Sequence, residues 1–229
     1  MTFLELVNRA RRESGVSGAA LSSVATDSAL TAEGLRFKYW VIEAWREIQT
    51  QHADWNWMRK PVSFNTTAGV NTYAPAACNV TDLGDWKRNS FRAYTTSMGY
   101  GDEQILPFME YETFRNVYLY GNMRTTQSRP VSFTINPADK SLILGAVPND
   151  DYTVVGEYFK KPVDLSADSD TPELPDRYHM FIVYKAMSSY AFYESAPEVL
   201  ERAQRGEKKM LTLLEFDQMP VLTSGPPLA

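Results

Sequence analysis

The stretch QHADWNWMRKP, Gln51–Pro61, marks the place where a helical pattern stops and a strand pattern begins. It contains one of the two histidines and two of the five tryptophans of the chain, with an aspartate between the tryptophans and the histidine. After it, Val62 and Phe64 alternate with polar residues, as in a half-buried strand. The stretch is therefore either a joint between two kinds of structure or a site of chemistry, and the rest of the chain has to decide between the two.

Two helices are predicted before this stretch. Thr2 and Glu5 form a T-x-x-E capping box that starts a short helix. A long helix begins near Thr31, and one of its faces carries apolar and aromatic residues at steps of three and four. The residues of that face are Phe37, Val41, Trp45, Ile48, His52 and Trp55. Pro61 is predicted to prevent this helix from continuing.

Two more helices are predicted near the end of the chain. The first spans Tyr178–Tyr193. The second begins at an S-x-x-E capping box formed by Ser195 and Glu198, with Pro197 in the first turn, where its missing N–H is not needed. Its apolar stripe consists of Val199, Ala203, Gly206, Met210 and Leu213.

The middle of the chain is predicted to be rich in short strands. Val62–Phe64 and Val70–Tyr73 flank an Ala-Gly turn and predict a hairpin, and a second turn follows at Asn136–Asp139. Tyr111–Tyr118 is predicted as a short helix.

These patterns predict an α+β fold, in which a four-helix bundle built from N- and C-terminal helix pairs carries an inserted small antiparallel β lobe. A short helical half cannot bury its apolar stripe alone, so the pairs are expected to pack together. The predicted domains are residues 1–60 and 174–216 for the bundle and 61–173 for the β lobe. Residues 217–229 contain three prolines and no periodicity, and are predicted to be an extended tail.

Composition excludes several function classes. The chain has 229 residues, a net charge of −5 and no basic run, so it lacks an electrostatic footprint for nucleic acid or an anionic membrane. It has one cysteine, which allows no internal disulfide and no cysteine-based metal site. Neither a signal peptide nor an apolar run of transmembrane length is present, and we expect a soluble, unsecreted protein.

Catalytic and metal sites are not predicted. His52 lies on the helix face described above, His179 has no second partner, and Cys78 would need a nearby histidine to act as a nucleophile. Paired carboxylates that meet only in the folded chain stay open, although no spacing favours them.

An acidic loop, residues 164–176, is the best metal candidate. Asp164, Ser166, Asp168 and Asp170 alternate as calcium ligands do. However, Ser169 and Pro175 stand where a calcium loop needs glycine and glutamate. A solvated acidic linker is the favoured interpretation, and no cofactor or metal is expected.

Aromatic residues of the β region form either part of its core or a binding face, and the core is favoured. They are Trp86, Phe91, Tyr94 and Tyr100. A binding face would make the chain a phage or bacterial module for cell-envelope glycan, which is the alternative function.

Three stretches resemble one family. They are FLELVNRARRESGVSG at 3–18, RFKYWVIEAWREIQTQHADWNWMRK at 36–60, and the run 142–210 from LILGAVPNDD to QRGEKKM. In order and pattern they resemble the head-to-tail adaptor proteins of short- and long-tailed bacteriophages, a group similar to tail tubular protein A of podoviruses. Residues 76–130 match this pattern least.

The resemblance implies a virion protein without enzymatic activity, made in the host cytoplasm, that forms a ring, usually twelvefold, beneath the portal. Such a ring extends the DNA channel, lets DNA pass without specific binding, and docks a tail nozzle or another tail protein, with no membrane involved. In this family a C-terminal segment grips the portal. The matching residues of this chain are Pro220, Val221, Leu222, Pro226, Pro227 and Leu228.

The opening stretch is therefore interpreted as a joint between bundle and β lobe, formed by His52, Trp55, Trp57 and Pro61. In this hypothesis the two tryptophans wedge the parts together, because a ring requires that its subunits keep a fixed angle.

Overall fold

The computed structural model describes residues 1–52 and 54–218, and the chain divides into two compact units. The helical unit comprises Met1–Met58 together with the chain from Pro162 onward. The β unit comprises Arg59–Lys161 and is inserted between the two parts of the helical unit.

The described part of the helical unit contains four α-helices: α1 (Phe3–Glu13), α2 (Ala32–Gln51), α4 (His179–Glu194) and α5 (Pro197–Gln218). The capping box that starts α1 is confirmed, because Thr2 Oγ1 accepts from the backbone N–H of Glu5 and the Glu5 carboxylate accepts from that of Thr2. At the start of α2, Thr31 Oγ1 accepts from the backbone N–H of Gly34, which is a side-chain cap without the reciprocal bond. Helix α4 packs against α1, α2 and α5, so it is the central element of this unit.

Helix α5 packs along α4 on a narrow face. Ala203 and Leu214 are fully buried, while Leu213 is 46% exposed, so the predicted stripe is wrong at its last position. The predicted capping box at Ser195 is also wrong. Ser195 has a φ of 53° and ends α4 in the left-handed conformation, and α5 begins only at Pro197.

The β unit contains helix α3 (Tyr111–Tyr118) and ten strands. The strands are β1 (Arg59–Asn65), β2 (Thr72–Tyr73), β3 (Leu83–Trp86), β4 (Arg92–Thr95), β5 (Gln104–Ile105), β6 (Gln127–Ser128), β7 (Ser132–Ile135), β8 (Leu142–Gly145), β9 (Val147–Pro148) and β10 (Tyr152–Lys160). β10 is the centre of the largest sheet. It pairs antiparallel with β1 on one side, and with β4 and β3 on the other.

Two smaller sheets complete the unit. One has the order β2-β8-β7 and the other consists of the parallel pair β6-β9. The turn predicted at Asn136–Asp139 is confirmed as the connection of the antiparallel pair β7 and β8. The hairpin predicted between Val62–Phe64 and Val70–Tyr73 is wrong, since β1 pairs with β10 and β2 with β8.

A single apolar core fills the β unit. It includes Phe64, Tyr73, Cys78, Trp86, Phe91, Phe133, Leu142, Leu144, Val154 and Tyr158. At Gly156 a Cβ atom would lie 2.7 Å from the ring of Phe91, so the strand β10 approaches this core as closely as glycine permits.

The predicted fold class, a four-helix bundle with an inserted small antiparallel β lobe, is wrong. Over residues 1–52 and 54–218 the chain has five α-helices and ten strands in three sheets, and the β unit has a sizeable core of its own. One helix, α3, belongs to that unit. The prediction underestimated the β part because β2, β5, β6 and β9 have two residues each, and strands of that length carry no alternating pattern.

No helix in the described residues is long and apolar enough to cross a membrane.

Candidate functional site

The end of α2 is the first element of the predicted joint. α2 ends at Gln51 with His52 as its C-cap, so His52 and Trp55 do not continue the helix as predicted. The His52 ring meets Trp55 edge-on, with 4.7 Å between ring centroids. Its Nε2 lies 2.9 Å from Oε1 of Glu215. This contact links the end of α2 to the last turn of α5.

Three indole rings pack together beside this contact. Trp55 is fully buried and its Nε1 donates to the carbonyl of Ile48 over 2.8 Å. Trp57 stacks on Trp45, with centroids 5.2 Å apart, and also lies 6.4 Å from Trp55. The aromatic mass that the sequence placed at a joint therefore packs within the helical unit.

Sequence reasoning missed a polar clamp next to these rings. Gln49 exchanges two hydrogen bonds with the backbone of Val163, its Oε1 accepting from the N–H and its Nε2 donating to the carbonyl, at 3.0 and 3.1 Å. Trp45 Nε1 donates to the same carbonyl over 2.8 Å. The chain that re-enters the helical unit after the β unit is thus fixed to α2. The sequence contains one signal of this clamp, which is that the polar residue Gln49 lies on the apolar face of the predicted helix.

Pro61, the fourth joint residue, lies inside β1 of the β unit, opposite Glu157 of β10. α2 has already ended at Gln51, so Pro61 does not terminate it. Among the residues that the structure describes, β1 pairs only with β10, and proline is tolerated on such an edge strand.

The predicted portal-docking residues lie outside the described residues. They are Pro220, Val221, Leu222, Pro226, Pro227 and Leu228. Before them, α5 continues through Gln218, two residues into the predicted tail. Asp217 forms an ion pair with Arg177, which ties this end of α5 to the start of α4.

His179 and Cys78 are both buried inside the fold. No partner is predicted for His179, but its Nδ1 accepts from the α-ammonium group of Met1 over 2.6 Å and its Nε2–H donates to the carbonyl of Leu174 over 2.9 Å. Burial lowers the pKa of His179.

Cys78 is buried in the β core, where burial raises the pKa of its thiol to about 12. A thiol with that pKa is protonated at neutral pH and is a poor nucleophile.

The carboxylates of the acidic loop are directed to separate partners. Asp164 pairs with Arg46, and Asp168 accepts from the backbone N–H of Val24 over 2.7 Å. Asp170 accepts from the N–H groups of Ser166 and Ala167, and these hydrogen bonds lower its pKa. In the part of the chain that the structure describes, no three His, Cys, Asp or Glu side chains are grouped as metal ligands.

The four aromatic residues of the proposed binding face are divided between core and surface. Trp86 and Phe91 are buried in the core of the β unit, as favoured from the sequence. Tyr100 is 81% exposed, with Tyr94 5.1 Å from it between ring centroids. Two tyrosines remain of the face on which a glycan-binding module would depend.

Comparison with known families gives one match. The family model of the SU10 adaptor protein matches residues 1–223, nearly the whole chain. The chain belongs to the SU10 adaptor protein family. No curated protein matches it.

This membership makes the chain a bacteriophage adaptor, a structural component of the virion that interacts with other head and tail proteins. It agrees with the head-to-tail adaptor resemblance. The narrower grouping with tail tubular protein A of podoviruses stays a prediction.

Proposed function

We propose that the chain is a head-to-tail adaptor that forms a ring beneath the portal, extends the DNA channel and docks a tail nozzle or another tail protein. The observation that carries this proposal is the family match over residues 1–223. Twelve subunits is the expected number, from the resemblance alone.

The helical unit supplies features that suit a ring subunit. The clamp between Gln49 and Val163 and the stacked indoles fix the C-terminal half of α2. A ring that closes after many identical contacts needs subunits of constant shape, because an angular error at one contact is repeated at each of the others.

The portal contact is proposed to use Pro220, Val221, Leu222, Pro226, Pro227 and Leu228. These residues combine prolines, which oppose a regular helix, with apolar side chains suited to a cleft in a partner. A short extended segment gains affinity when the contact repeats around a ring.

Electron microscopy of the purified protein, with and without portal protein, tests the ring. We expect rings that attach to portal, and a protein that never assembles with portal would contradict the proposal. Deleting Pro220–Ala229 tests the docking segment: the shortened protein should keep its helicity by circular dichroism and lose attachment. The control replaces the same residues by a Gly-Ser segment of equal length. Normal attachment of the shortened protein would exclude this segment as the portal contact.

The second function, glycan binding through the aromatic β surface, has little support, because Trp86 and Phe91 are core residues. A glycan array with the purified protein separates the two functions, since an adaptor should give no specific binding.

A further inference from the structure

The solvent-exposed side of α5 carries apolar side chains and lysines that form no ion pair among the described residues. Leu213 is 46% exposed and Phe216 is 91% exposed. Lys209 and Phe216 lie on the side of the helix opposite the buried Ala203 and Leu214, and Leu213 lies beside them at steps of four and three. Lys208 and Lys209 have no carboxylate within ion-pair distance among the described residues. We name Lys208, Lys209, Leu213 and Phe216 the α5 outer face.

A second exposed surface lies across α2 and α4 and is aromatic. Trp40 lies 5.8 Å from Tyr193 between ring centroids, and Tyr193 is 54% exposed. The guanidinium of Arg36 lies over the Tyr193 ring, 4.4 Å from its centroid. This surface belongs to the same unit as α5 but shares no residue with the α5 outer face.

Two carboxylates at the edge of this surface have no ion-pair partner among the described residues. Glu43 follows Trp40 by one helical turn and is exposed. Glu194 follows Tyr193, is exposed, and its charge contributes to the raised pKa of Tyr190, whose ring meets that of Trp40 edge-on. We name Trp40, Glu43, Tyr193 and Glu194 the α2–α4 outer face.

We propose that the α5 outer face of one copy of the chain docks on the α2–α4 outer face of the next copy. The two faces are complementary: two unpaired lysines meet two unpaired glutamates, and Leu213 and Phe216 meet aromatic rings. This contact rests on the proposed ring and specifies the surfaces that form it.

Such a contact is heterologous, because the two docking faces differ. A heterologous contact leaves one free copy of each face on every pair, so further subunits add until a ring closes. Complementary charge also disfavours pairing of identical faces, since two α5 outer faces would bring four lysines together.

Charge reversal tests the contact in the full chain. Lys208→Glu with Lys209→Glu, and separately Glu43→Lys with Glu194→Lys, should each weaken self-association roughly tenfold or more, measured by sedimentation velocity alone and by electron microscopy with portal protein. The protein carrying all four changes should recover assembly. Arg12→Glu with Arg124→Glu, at exposed sites elsewhere, changes the net charge as much as the lysine pair does, in the same direction, and is its matched control.

Mixing the two double variants gives an independent readout. Every contact between the two variants joins either the two unchanged faces or the two reversed faces, so the mixture should form larger assemblies although neither variant does so alone. Thermal unfolding of every variant should match the wild type, because the four side chains are exposed and make no ion pair in the described residues.

Every outcome of these experiments either supports or overturns the proposed interface. Double variants that assemble like the wild type overturn this interface, while attachment of those assemblies to portal leaves the proposed function intact. Loss of assembly without recovery in the fourfold variant also overturns the pairing. A wild-type chain that assembles neither alone nor with portal overturns both the interface and the proposed ring.

Discussion

The α-ammonium group of Met1 donates a hydrogen bond to Nδ1 of His179 across 2.6 Å, so the first residue of the chain contacts the first residue of α4. Because Nδ1 accepts this bond it carries no proton, and the other ring nitrogen donates to the carbonyl of Leu174, so the imidazole is neutral and both of its nitrogens are occupied. Protonation of Nδ1 would set two cations against each other in a buried place.

This contact predicts that stability decreases as pH falls below the ordinary histidine pKa of about 6.5. Burial, with the Met1 ammonium group, lowers the pKa of His179 in the folded chain, although Asp176, 3.5 Å away, opposes this. In the unfolded chain His179 takes up a proton at higher pH, so acidification favours unfolding. Urea unfolding at a series of pH values from about 7.5 to 5 measures the slope. His179→Gln should flatten it and His52→Gln should retain it; an unchanged slope in His179→Gln would contradict the assignment.

Trp55→Ala should destabilise the helical unit by about 3–5 kcal/mol, because it removes a fully buried indole. Trp55→Phe should cost less, since it keeps most of the apolar contact and loses the hydrogen bond to Ile48. Urea unfolding followed by circular dichroism measures both. If Trp55→Ala unfolded at the wild-type urea concentration, the indole layer would not be a stabilising element.

Gly206→Ala should be destabilising, although alanine normally favours a helix over glycine by about 1 kcal/mol. A Cβ atom at this position would lie 2.7 Å from ring carbons of Tyr184, and would push α5 away from α4. Thermal unfolding measures the effect. Gly101→Ala, where a Cβ meets no atom within 4 Å, is the control. The destabilisation should shrink in the background of Tyr184→Ala, and equal destabilisation there would mean that the ring is not the cause.

Asp102→Asn should remove an acid-dependent part of the stability of the β unit. Asp102 accepts hydrogen bonds from Thr95 and from Arg129, which lower its pKa to about 2. A carboxylate with a lowered folded pKa stabilises the fold above the unfolded pKa of about 3.9 and loses that contribution as pH falls towards 2. Unfolding curves of wild type and variant should converge over that range. Asp150→Asn, at an exposed turn, is the comparison, and parallel curves for wild type and Asp102→Asn would contradict the prediction.

Binding to a random DNA duplex at physiological salt should be weaker than micromolar. The chain carries a net charge of −5, and DNA passing through a ring has to slide along it. Fluorescence anisotropy with a labelled duplex at two salt concentrations measures this. Micromolar or tighter binding that weakens with salt would contradict the proposed passive channel.

Local chemistry made some elements predictable from the sequence. The capping box of α1 and the turn before β8 depend on neighbouring residues, and both formed where they were expected. The partners of β1 and β2 were missed because strand pairing depends on residues far along the chain. β1 pairs with β10 across the whole β unit, and no local pattern identifies such a partner.

In the candidate site, too, local features were predicted and contacts between distant residues were missed. Trp45 and Ile48 were placed correctly on the apolar face of α2, whereas the end of that helix at Gln51 was missed. Trp55 has the spacing of a helix residue although α2 has already ended, and its ring packs on Trp57, which also follows the helix. The contacts of Gln49 with Val163 and of Met1 with His179 join residues more than a hundred positions apart, which periodicity cannot detect.

The position of β10 at the centre of its sheet determines when the β unit can fold during synthesis. β1 and β3 pair with the last strand of the β unit, so on the ribosome they have no strand partner until residues 152–160 have emerged, whereas β4 can already pair with β5. The helices α1 and α2 contact each other, but they can pack on α4 only later still, because α4 follows that strand. Each unit is therefore completed only when its C-terminal part has been made, and until then the nascent chain exposes apolar side chains that make it prone to aggregate.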